Sequence, residues 1–553
     1  MNPARRASAW RWLKRAAWAA CGCVVATWCA ERVVDVSWPY PLARLQAMPC
    51  STVLTAVDGT WLRVAPTPAG ERALPLAWDE CAPSLQAAIL VGEDERFFDH
   101  GGVDWCAGVR AFASNVAAGR VVSGASTLTM QVVRMVEPRP RTFAAKALEV
   151  VRARQLERVL DKQQIAAVWL TQVPMGGTLR GMEAAARHWF GRSARELDTA
   201  AAAVLVAMVP APSARSPERR PELLRARRDA LRRRMHERGH LDAAALAAAL
   251  ATDLGMQRQP WPWCAPHACD GALAELGAGE RPAVLAVGID LELQQRVQRV
   301  VNEQPDLPGD GLAVVVVRRD DGSLPVVLGD RDPLAPLDLS RCRRSAGSTW
   351  KPFLYALARE RGAVAAQGFV DDLPRAFDDW RPANFDRGWL GRTRAGDALA
   401  TSSNLAAVRC LETVGTAPFA ELLRELGLYD GERPLHLDAA LGTSPVSPRR
   451  LAQAYWRFVE RPEDVGLSRA SVQWTLQSLR RLPLVAGQTR AGDVAWKSGT
   501  SSGRRDAGCG GITDEHVVVV WLGNRDGRGL PDLVGVRIAN RLLAAVLSVV
   551  APE

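Results

Sequence analysis

Lysine is nearly missing from this 553-residue chain: of 70 basic side chains only Lys14, Lys146, Lys162, Lys351 and Lys497 are lysine, and the rest are arginine. The scarcity excludes lysine as a general source of positive charge. Arginine stays protonated, whereas a partly buried lysine can lose its proton and act as a base. Each retained lysine is therefore a candidate for chemistry that arginine cannot perform; chance survival in an arginine-rich composition is the competing reading. Long apolar runs are scarce too. The weakly apolar stretch AAWAACGCVVATWCA, Ala16 to Ala30, falls short of the roughly 20 residues that usually span a membrane, and nothing longer argues for a polytopic protein. The 11 cysteines show no framework spacing, which excludes a small disulfide scaffold. No internal repeat or low-complexity tract is evident.

A hydrophobic fraction of 48% with 24% charged residues is ordinary for globular protein. The net charge of +10 suggests an anionic partner, with DNA, phospholipid and phosphate-bearing substrates all open on that number alone. Arg5, Arg6, Arg11, Lys14 and Arg15 precede the apolar stretch, and Glu31 and Arg32 close it. This reads as a single membrane segment with a cytoplasmic N-terminus. Trp12, Leu13, Val33 and Val34 can lengthen it while charged side chains snorkel. A cleaved signal peptide is the alternative. Either way the bulk of the chain is exported. Cys21, Cys23 and Cys29 in that segment are expected to pack as small hydrophobes. Export permits disulfides, and Cys264 and Cys269 in WPWCAPHACDG are close enough to pair. His267 between them invites a zinc reading, but no second ligand pair follows.

The chain divides into a tail and membrane helix (1–35), a β-rich linker (36–80) carrying the hairpin pattern STVLTAVDGTWLRVAP, a mostly helical part (81–250), an interdomain linker (251–305) around QRQPWPWCAPHACDG, and an α-plus-β part (306–553). The expected fold is multidomain, α and α+β. In the helical part Ser193 and Glu196 are spaced as a capping box, and RARRDALRRRMHERG reads as a solvated basic helix face. In the second part GLAVVVVRRDDGSLPVVLGD reads as a hairpin around Asp321-Gly322, and HVVVVWLGNRDG as a buried strand.

The stretch RRSAGSTWKPF places Ser348 three residues before Lys351, so that on a helix start both lie on one face. Alone this is weak, since a helix cap followed by a surface lysine is the commoner meaning. Two further segments follow in order: Ser402-Ser-Asn404 in ALATSSNLAAV, and Lys497-Ser-Gly-Thr500 in DVAWKSGTSSG. That ordered trio is the pattern of acyl-serine enzymes, the penicillin-binding proteins and class A β-lactamases. Ser348 would attack a carbonyl, and Lys351 would have to be near neutrality to take its proton, at a cost on the order of 4 kcal/mol. Lys497, on a strand edge, would repel protonated Lys351 and attract a substrate carboxylate. Gly499 would let a substrate backbone lie against the strand, and the amides of Ser348 and Thr500 would form an oxyanion hole.

The segments SAGSTWKPFLYAL, ALATSSNLAAVR and VAWKSGTSSGRRDAGCGG resemble the transpeptidase domain of penicillin-binding proteins, and PANFDRGWLG is similar to their 1C type. The resemblance implies that Ser348 is the acylated nucleophile, that Ser402 relays a proton to the leaving amine and that Asn404 orients the peptide, with Ser498, Gly499, Thr500 and Ser501 binding substrate. In the first half, GEDERFFDHGG carries Glu93, Asp94, Phe97 and His100; SGASTLTMQVVR carries Ser126, Thr127, Gln131 and Arg134; KALE carries Lys146 and Glu149; Lys162 and PMGGTLRGMEAAARHWFG follow. A charged helix start with a salt bridge is the plainer reading of the first of these. The series resembles the lipid II polymerising glycosyltransferase of bifunctional, class A members of the family.

Two carboxylates suit glycosyl transfer: Glu93 would take a proton from the acceptor hydroxyl while Glu149 helps where the donor's pyrophosphate departs. The leaving anion calls for cations, Lys146, Arg134 and a divalent metal, Mg2+ or Mn2+. Asp94, Phe97, His100, Ser126, Thr127 and Gln131 would bind substrate. No cofactor is expected for the transpeptidase. The resemblance further implies a lysozyme-like glycosyltransferase fold, a β-lactamase-like α/β transpeptidase, an inner-membrane location with periplasmic catalytic domains, and β-lactams as covalent inhibitors. Its partners would be lipid II, nascent glycan strands and stem peptides; nucleic acid has no matching motif, and there is room for cell-wall synthesis or lipoprotein partners. An anchored D,D-carboxypeptidase or β-lactamase, and a non-enzymatic β-lactam sensor or scaffold, are the alternatives. Departures from the family pattern are Ala167 for a frequent glutamate, Ala346 for proline, bulky Trp350, and Ser498 for threonine. With the chain ending at Glu553, no extra C-terminal domain of the 1C type is expected, and with it no partner-binding surface there.

Overall fold

The computed structural model describes residue 29 and residues 31–118, 126–140, 142–277, 279, 281–304, 306–431, 434–485 and 494–550. Apart from Cys29, the expected membrane segment lies outside them, and so do Cys21 and Cys23. Among the described residues no helix is long and apolar enough to cross a membrane. The alternation of STVLTAVDGTWLRVAP forms two strands, β1 (Thr52–Thr55) and β2 (Trp61–Ala65), around Gly59, whose positive φ of 84° suits a residue without a Cβ. Two compact units follow from the contacts: residues 1–52 with 64–261, and residues 53–63 with 262–553. Most of the hairpin therefore groups with the second unit.

The first unit is helical: α1 (31–37), α2 (Leu42–Gln46), α3 (Pro83–Glu93), α4 (Trp105–Ala118), α5 (Leu128–Val136), α6 (Phe143–Val159), α7 (Lys162–Gln172), α8 (Met182–Phe190), α9 (Thr199–Met208), α10 (Pro221–Glu237) and α11 (Ala243–Ala251). A small sheet, β3 (Arg72–Ala73), β4 (Pro174–Gly176) and β5 (Leu179–Arg180), runs in the order β3-β5-β4. α9 is apolar all round because it is the core: every residue from Ala201 to Met208 is buried, with α3 and α10 packed on it. Its cap is Asp198, whose Oδ1 accepts from the Ala201 amide at 2.8 Å. The capping box expected at Ser193 and Glu196 is not formed. Ser193 instead donates its hydroxyl to the buried Glu183 carboxylate, and the helix begins later.

The basic run on α10 also departs from expectation. Arg228 and Arg232 are fully buried rather than solvated. They donate to main-chain carbonyls near the end of α11, Thr252 (2.9 Å) and Ala249, and Arg232 also to Ala200 (3.0 Å). Helix ends leave unsatisfied carbonyls, and a buried guanidinium satisfies them. Leu224, Leu231 and Met235 complete the buried stripe.

The second unit is built on an antiparallel sheet, β7 (Gly311–Arg318), β8 (Val326–Leu328), β13 (Ala495–Thr500), β14 (Asp506–Ile512) and β15 (His516–Gly523), in the order β13-β14-β15-β7-β8. β6 (Val284–Ala286) pairs in parallel with β1; β10 (Phe369–Asp372) pairs with β11 (Gly391–Arg394), and β9 (Arg344–Ser345) with β12 (Pro445–Val446). The helices are α12 (Pro266–Glu275), α13 (Leu291–Asn302), α14 (Lys351–Glu360), α15 (Ala395–Ala400), α16 (Asn404–Val414), α17 (Thr416–Glu425), α18 (Pro448–Glu460), α19 (Arg469–Leu479) and α20 (Ile538–Val550). The run AVVVV in β7 is continuously apolar because both faces are covered. Val315 and Val317 join the core under α14, α16 and α18, whereas Val314 and Val316 join the one under α13 and α20. The Asp321-Gly322 turn joins β7 to β8 as expected, with Gly322 at φ 75°.

Cys264 and Cys269 are both free, so the pairing open to them is not made; the Cys269 thiol donates to the Cys264 carbonyl at 3.5 Å. His267 is buried, accepts at Nδ1 from the Gly329 amide (3.3 Å) and lies 2.9 Å through Nε2 from the Ala335 carbonyl. Both ring nitrogens are in use, which removes the zinc reading.

A 3-10 turn, Gly347–Trp350, precedes α14. It is wedged between β13 and Gly442: a Cβ on Gly442, which sits at φ 74°, would fall inside the Gly347 carbonyl. Gly442→Ala is therefore expected to lower stability by about 2–4 kcal/mol, read as a drop in denaturation midpoint. An unchanged midpoint would show that this turn is not held as described.

Candidate active sites

In the first unit two carboxylates sit in opposite electrostatic settings. Glu93 ends α3 and is half-buried. Its Oε2 accepts from Gln131 Nε2 on α5 at 2.9 Å, and Gln131 Oε1 accepts from Trp169 Nε1 on α7 at 2.9 Å. The indole thus fixes which end of the amide faces Glu93. Burial pushes the Glu93 carboxyl above its usual range, more than Gln131 and the charges of Arg227, Arg215 and Arg234 bring it down. Glu149, buried on α6, accepts from Arg134 Nε at 2.6 Å and from Lys146 Nζ at 2.8 Å. Burial raises its pKa, but these two cations outweigh it and hold the carboxyl below the usual range. Paired groups pushed apart in this way can divide acid–base labour.

Lys146 Nζ also donates to Ser126 Oγ at 2.8 Å, which joins Ser126, Arg134, Lys146 and Glu149 in one cluster. Other residues expected to bind substrate also make contacts within the protein. Asp94 accepts from the Leu128 amide (2.9 Å) and lies 3.1 Å from His100 Nε2. Thr127 caps α5 and donates to the Gly102 carbonyl at 2.7 Å. Phe97 is fully buried, with Lys162 Nζ 4.4 Å from its ring centre. These four side chains pin the segment after Glu93 to α5.

The divalent cation expected here finds no donor set of its own. Among the described residues no three metal-capable side chains cluster. Each oxygen of Glu149 is already met by a cationic side chain, and Glu93 faces arginines. These residues do not fit a protein-held divalent ion.

In the second unit the Lys351 side chain is fully buried. Its Nζ donates to the carbonyls of Ser402 (2.8 Å) and Ser403 (3.1 Å) and to Asn404 Oδ1 (2.7 Å), with Ser402 Oγ at 3.5 Å. Ser402 takes an uncommon φ of 65° for a residue with a Cβ. Burial, then the charge of Lys497, drives the Lys351 pKa well below the ordinary lysine range, against the field of Asp372. Lys497, buried on the edge strand β13, donates to the Ser498 carbonyl at 3.0 Å and is brought down to about 8 by burial. Half-buried Ser348 lies in the 3-10 turn one residue from Gly347, whose Cβ position lies 3.1 Å from the Thr500 amide nitrogen. Among the described residues no side chain hydrogen-bonds the Ser348 hydroxyl.

On and just after β13, three of the residues expected to bind substrate make contacts within the protein. A Cβ on Gly499 would meet the Ala346 carbonyl and Thr349, so this glycine lets the serine turn approach the strand. Thr500 Oγ1 accepts from the Gly535 amide at 2.9 Å. Ser501 is buried, and its Oγ accepts from the Asp506 amide at 2.9 Å, closing the β13–β14 hairpin. Ser498, also on β13, is half-exposed, and its hydroxyl makes no such bond among the described residues.

The burial of Lys497 has a thermodynamic consequence. Between about pH 8 and 10.5 the unfolded chain holds more protons at this lysine than the folded one, so its contribution to stability rises with pH across that window. Urea denaturation is expected to show this rise in the wild type and a shallower one in Lys497→Met. Equal slopes would contradict it.

Sequence reasoning missed Trp169, the arginines around Glu93, Asp372 and Asn384. Of the arginines around Glu93, Arg227 and Arg234 lie on α10, whose buried stripe is signalled by Leu224, Leu231 and Met235 at helical spacing. Nothing local marks Trp169 or Asp372, whereas Asn384 lies within the PANFDRGWLG motif.

A transglycosylase family model matches residues 61–236, and one for the penicillin-binding protein transpeptidase domain matches residues 329–460. The chain is 32% identical to penicillin-binding protein 1C of Escherichia coli (strain K12) over 550 residues, covering 94% of this chain and 70% of the relative. It is 26% identical to penicillin-binding protein 1F of Bacillus subtilis (strain 168), covering 81% and 70%. The crystal structure of penicillin-binding protein 1A from Haemophilus influenzae shares the fold, with a TM-score of 0.58 at 15% identity over 91% of this chain and 93% of that one.

Proposed function

We propose, for a chain that belongs to the class A penicillin-binding proteins and is a bifunctional peptidoglycan synthase, the following roles for its residues. In polymerisation Glu93 takes the proton of the acceptor sugar hydroxyl of lipid II as that oxygen attacks the donor's anomeric carbon. The bond from that carbon to the diphosphate oxygen breaks, and the diphosphate leaves as an anion. A carboxyl held above its usual range by burial is a stronger base than a solvated one, which supports the assignment. Arg134 and Lys146 meet the leaving anion, and ionised Glu149 holds both in place. The divalent cation that the resemblance implies would come with the donor's diphosphate rather than from a site of the protein's own.

In cross-linking, neutral Lys351 takes the Ser348 proton and the serine oxygen attacks the stem-peptide carbonyl, forming an acyl-serine and releasing the terminal amine, to which Ser402 relays the proton from Lys351; the amine of a second stem peptide then attacks the acyl carbon and gives up a proton, the ester bond to Ser348 breaks, and the serine oxygen is reprotonated. Hydrogen bonds of this kind often form only in the substrate complex. Asn404 orients the peptide, Lys497 attracts its carboxylate, and the amides of Ser348 and Thr500 meet the developing oxyanion. The observation that carries this reading is the fully buried Lys351, held among Ser402, Ser403 and Asn404 with Lys497 bearing on it. We further propose an inner-membrane anchor in the first 35 residues, periplasmic catalytic domains, and recruitment by cell-wall synthesis or lipoprotein partners. An inert sensor or a lone carboxypeptidase has no observation in its favour.

The test is to give the detergent-solubilised protein lipid II, with and without penicillin, and to measure polymer and cross-links separately. Polymer is expected in both samples and cross-links only without the drug. Loss of polymer with penicillin, or cross-links that survive it, would contradict the assignment of separate sites.

A further inference from the structure

The segment FVDD and the motif PANFDRGWLG after it have no part in the chemistry set out above, yet they hold a buried carboxylate. Asp372, the last residue of β10, is 1% exposed. Its Oδ1 accepts from Asn384 Nδ2 (2.8 Å) and from the Ser403 hydroxyl (2.7 Å), and its Oδ2 accepts from the Leu390 amide (2.8 Å). Among the described residues no lysine or arginine forms an ion pair with it. Burying a carboxylate on neutral donors alone is costly, so packing does not explain an acid at this position.

Two chains of hydrogen bonds run from Asp372 to one amine. Through Ser403, the hydroxyl donates to Asp372 while the carbonyl of the same residue accepts from Lys351 Nζ at 3.1 Å. Through Asn384, Nδ2 donates to Asp372 while Oδ1 accepts from the amides of Asn404 (2.7 Å) and Leu405 (3.2 Å) at the start of α16. Asn404 Oδ1 in turn accepts from Lys351 Nζ at 2.7 Å. The geometry points to Asp372 as a positioning residue of the acyl-transfer site: through Ser403 and Asn384 it fixes the acceptors that aim the Lys351 amine. This rests on the reading of Lys351 as the base for Ser348.

The charged groups facing Lys351 are Lys497 from β13 and Asp372 from β10. Tyr355 on α14 and Cys410 on α16 are both pushed upward by burial and stay neutral. Lys497 favours the unprotonated amine and Asp372 the protonated one, so the two set opposing fields.

The test is the second-order rate of covalent labelling by a fluorescent penicillin, followed from about pH 5 to 10, for wild type, Asp372→Asn, Asn384→Ala and Ser348→Ala, with thermal midpoints alongside. Without the Asp372 charge the acid limb is expected to move to lower pH by about half a unit or more, with a plateau about tenfold lower because the cradle is slack. Asn384→Ala keeps the charge but cuts one chain, so its limb stays and its plateau falls by about tenfold. An unmoved limb in a folded Asp372→Asn protein, or a wild-type plateau in Asn384→Ala, overturns the proposal; Asn384→Ala decides alone if Asp372→Asn does not fold. Labelling that survives Ser348→Ala marks failure of the underlying acyl-serine reading instead.

Discussion

Lys351→Arg is expected to cut covalent penicillin capture and cross-linking by about three orders of magnitude while glycan polymerisation stays at the wild-type rate. The two cations carry the same charge, so the loss comes from what arginine cannot do. Lys351 has no exposed surface, and its amine is met by three acceptor oxygens and by the charge of Lys497. An ammonium there donates three hydrogen bonds. A neutral amine donates two and keeps a lone pair for the serine proton. Arginine has no such lone pair and is bulkier in a site with no spare volume. Lys351→Met removes the base without adding bulk and should give the same loss of labelling. Labelling of Lys351→Arg at the wild-type rate would show that another group takes the Ser348 proton.

Glu93→Gln is expected to reduce polymer formation by about 10²–10⁴-fold and to leave penicillin labelling intact. The substitution is nearly isosteric, and a glutamine oxygen can still accept from Gln131, so the relay from Trp169 survives. Only the proton acceptor is lost. Glu149→Gln should behave differently, because it releases Arg134 and Lys146 from the carboxylate that holds them at 2.6 and 2.8 Å. Its fold-loss should shrink as the ionic strength rises, since freed cations are screened by salt, whereas the loss in Glu93→Gln should not depend on salt. Polymer yield unaltered by Glu93→Gln would remove it as the base.

Much of the chemistry was legible because it is written in short segments. Lys146 and Glu149 lie one turn apart and pair at 2.8 Å because a helix is all that is needed to bring them together, and Ser348 and Lys351 have the same spacing at the start of α14. The continuous valine run of β7 and the alternation around Gly59 were readable for the same reason. What was not legible depends on partners far along the chain. Asp94 and Thr127 lie in motifs that point to substrate, yet the structure spends them on the start of α5 and on Gly102. Gly499 was assigned to a substrate backbone because no sequence pattern shows that the serine turn packs on it. The basic run of α10 looked solvated because its acceptors, the carbonyls of Ala200, Ala249 and Thr252, carry no side-chain signature. Ser193 resembled a cap because its true partner, Glu183, lies on the preceding helix.

The claim on which cross-linking rests is that a buried lysine works unprotonated, and the rarity of lysine makes it directly measurable. Protein labelled with 13C at the lysine ε-carbon has five signals to follow by NMR against pH, with Lys351→Met and Lys497→Met to assign two of them. The account predicts that the Lys497 signal titrates near 8 and the Lys351 signal well below the ordinary lysine range. Titration of the Lys351 signal at the ordinary lysine value of about 10.4 would contradict it.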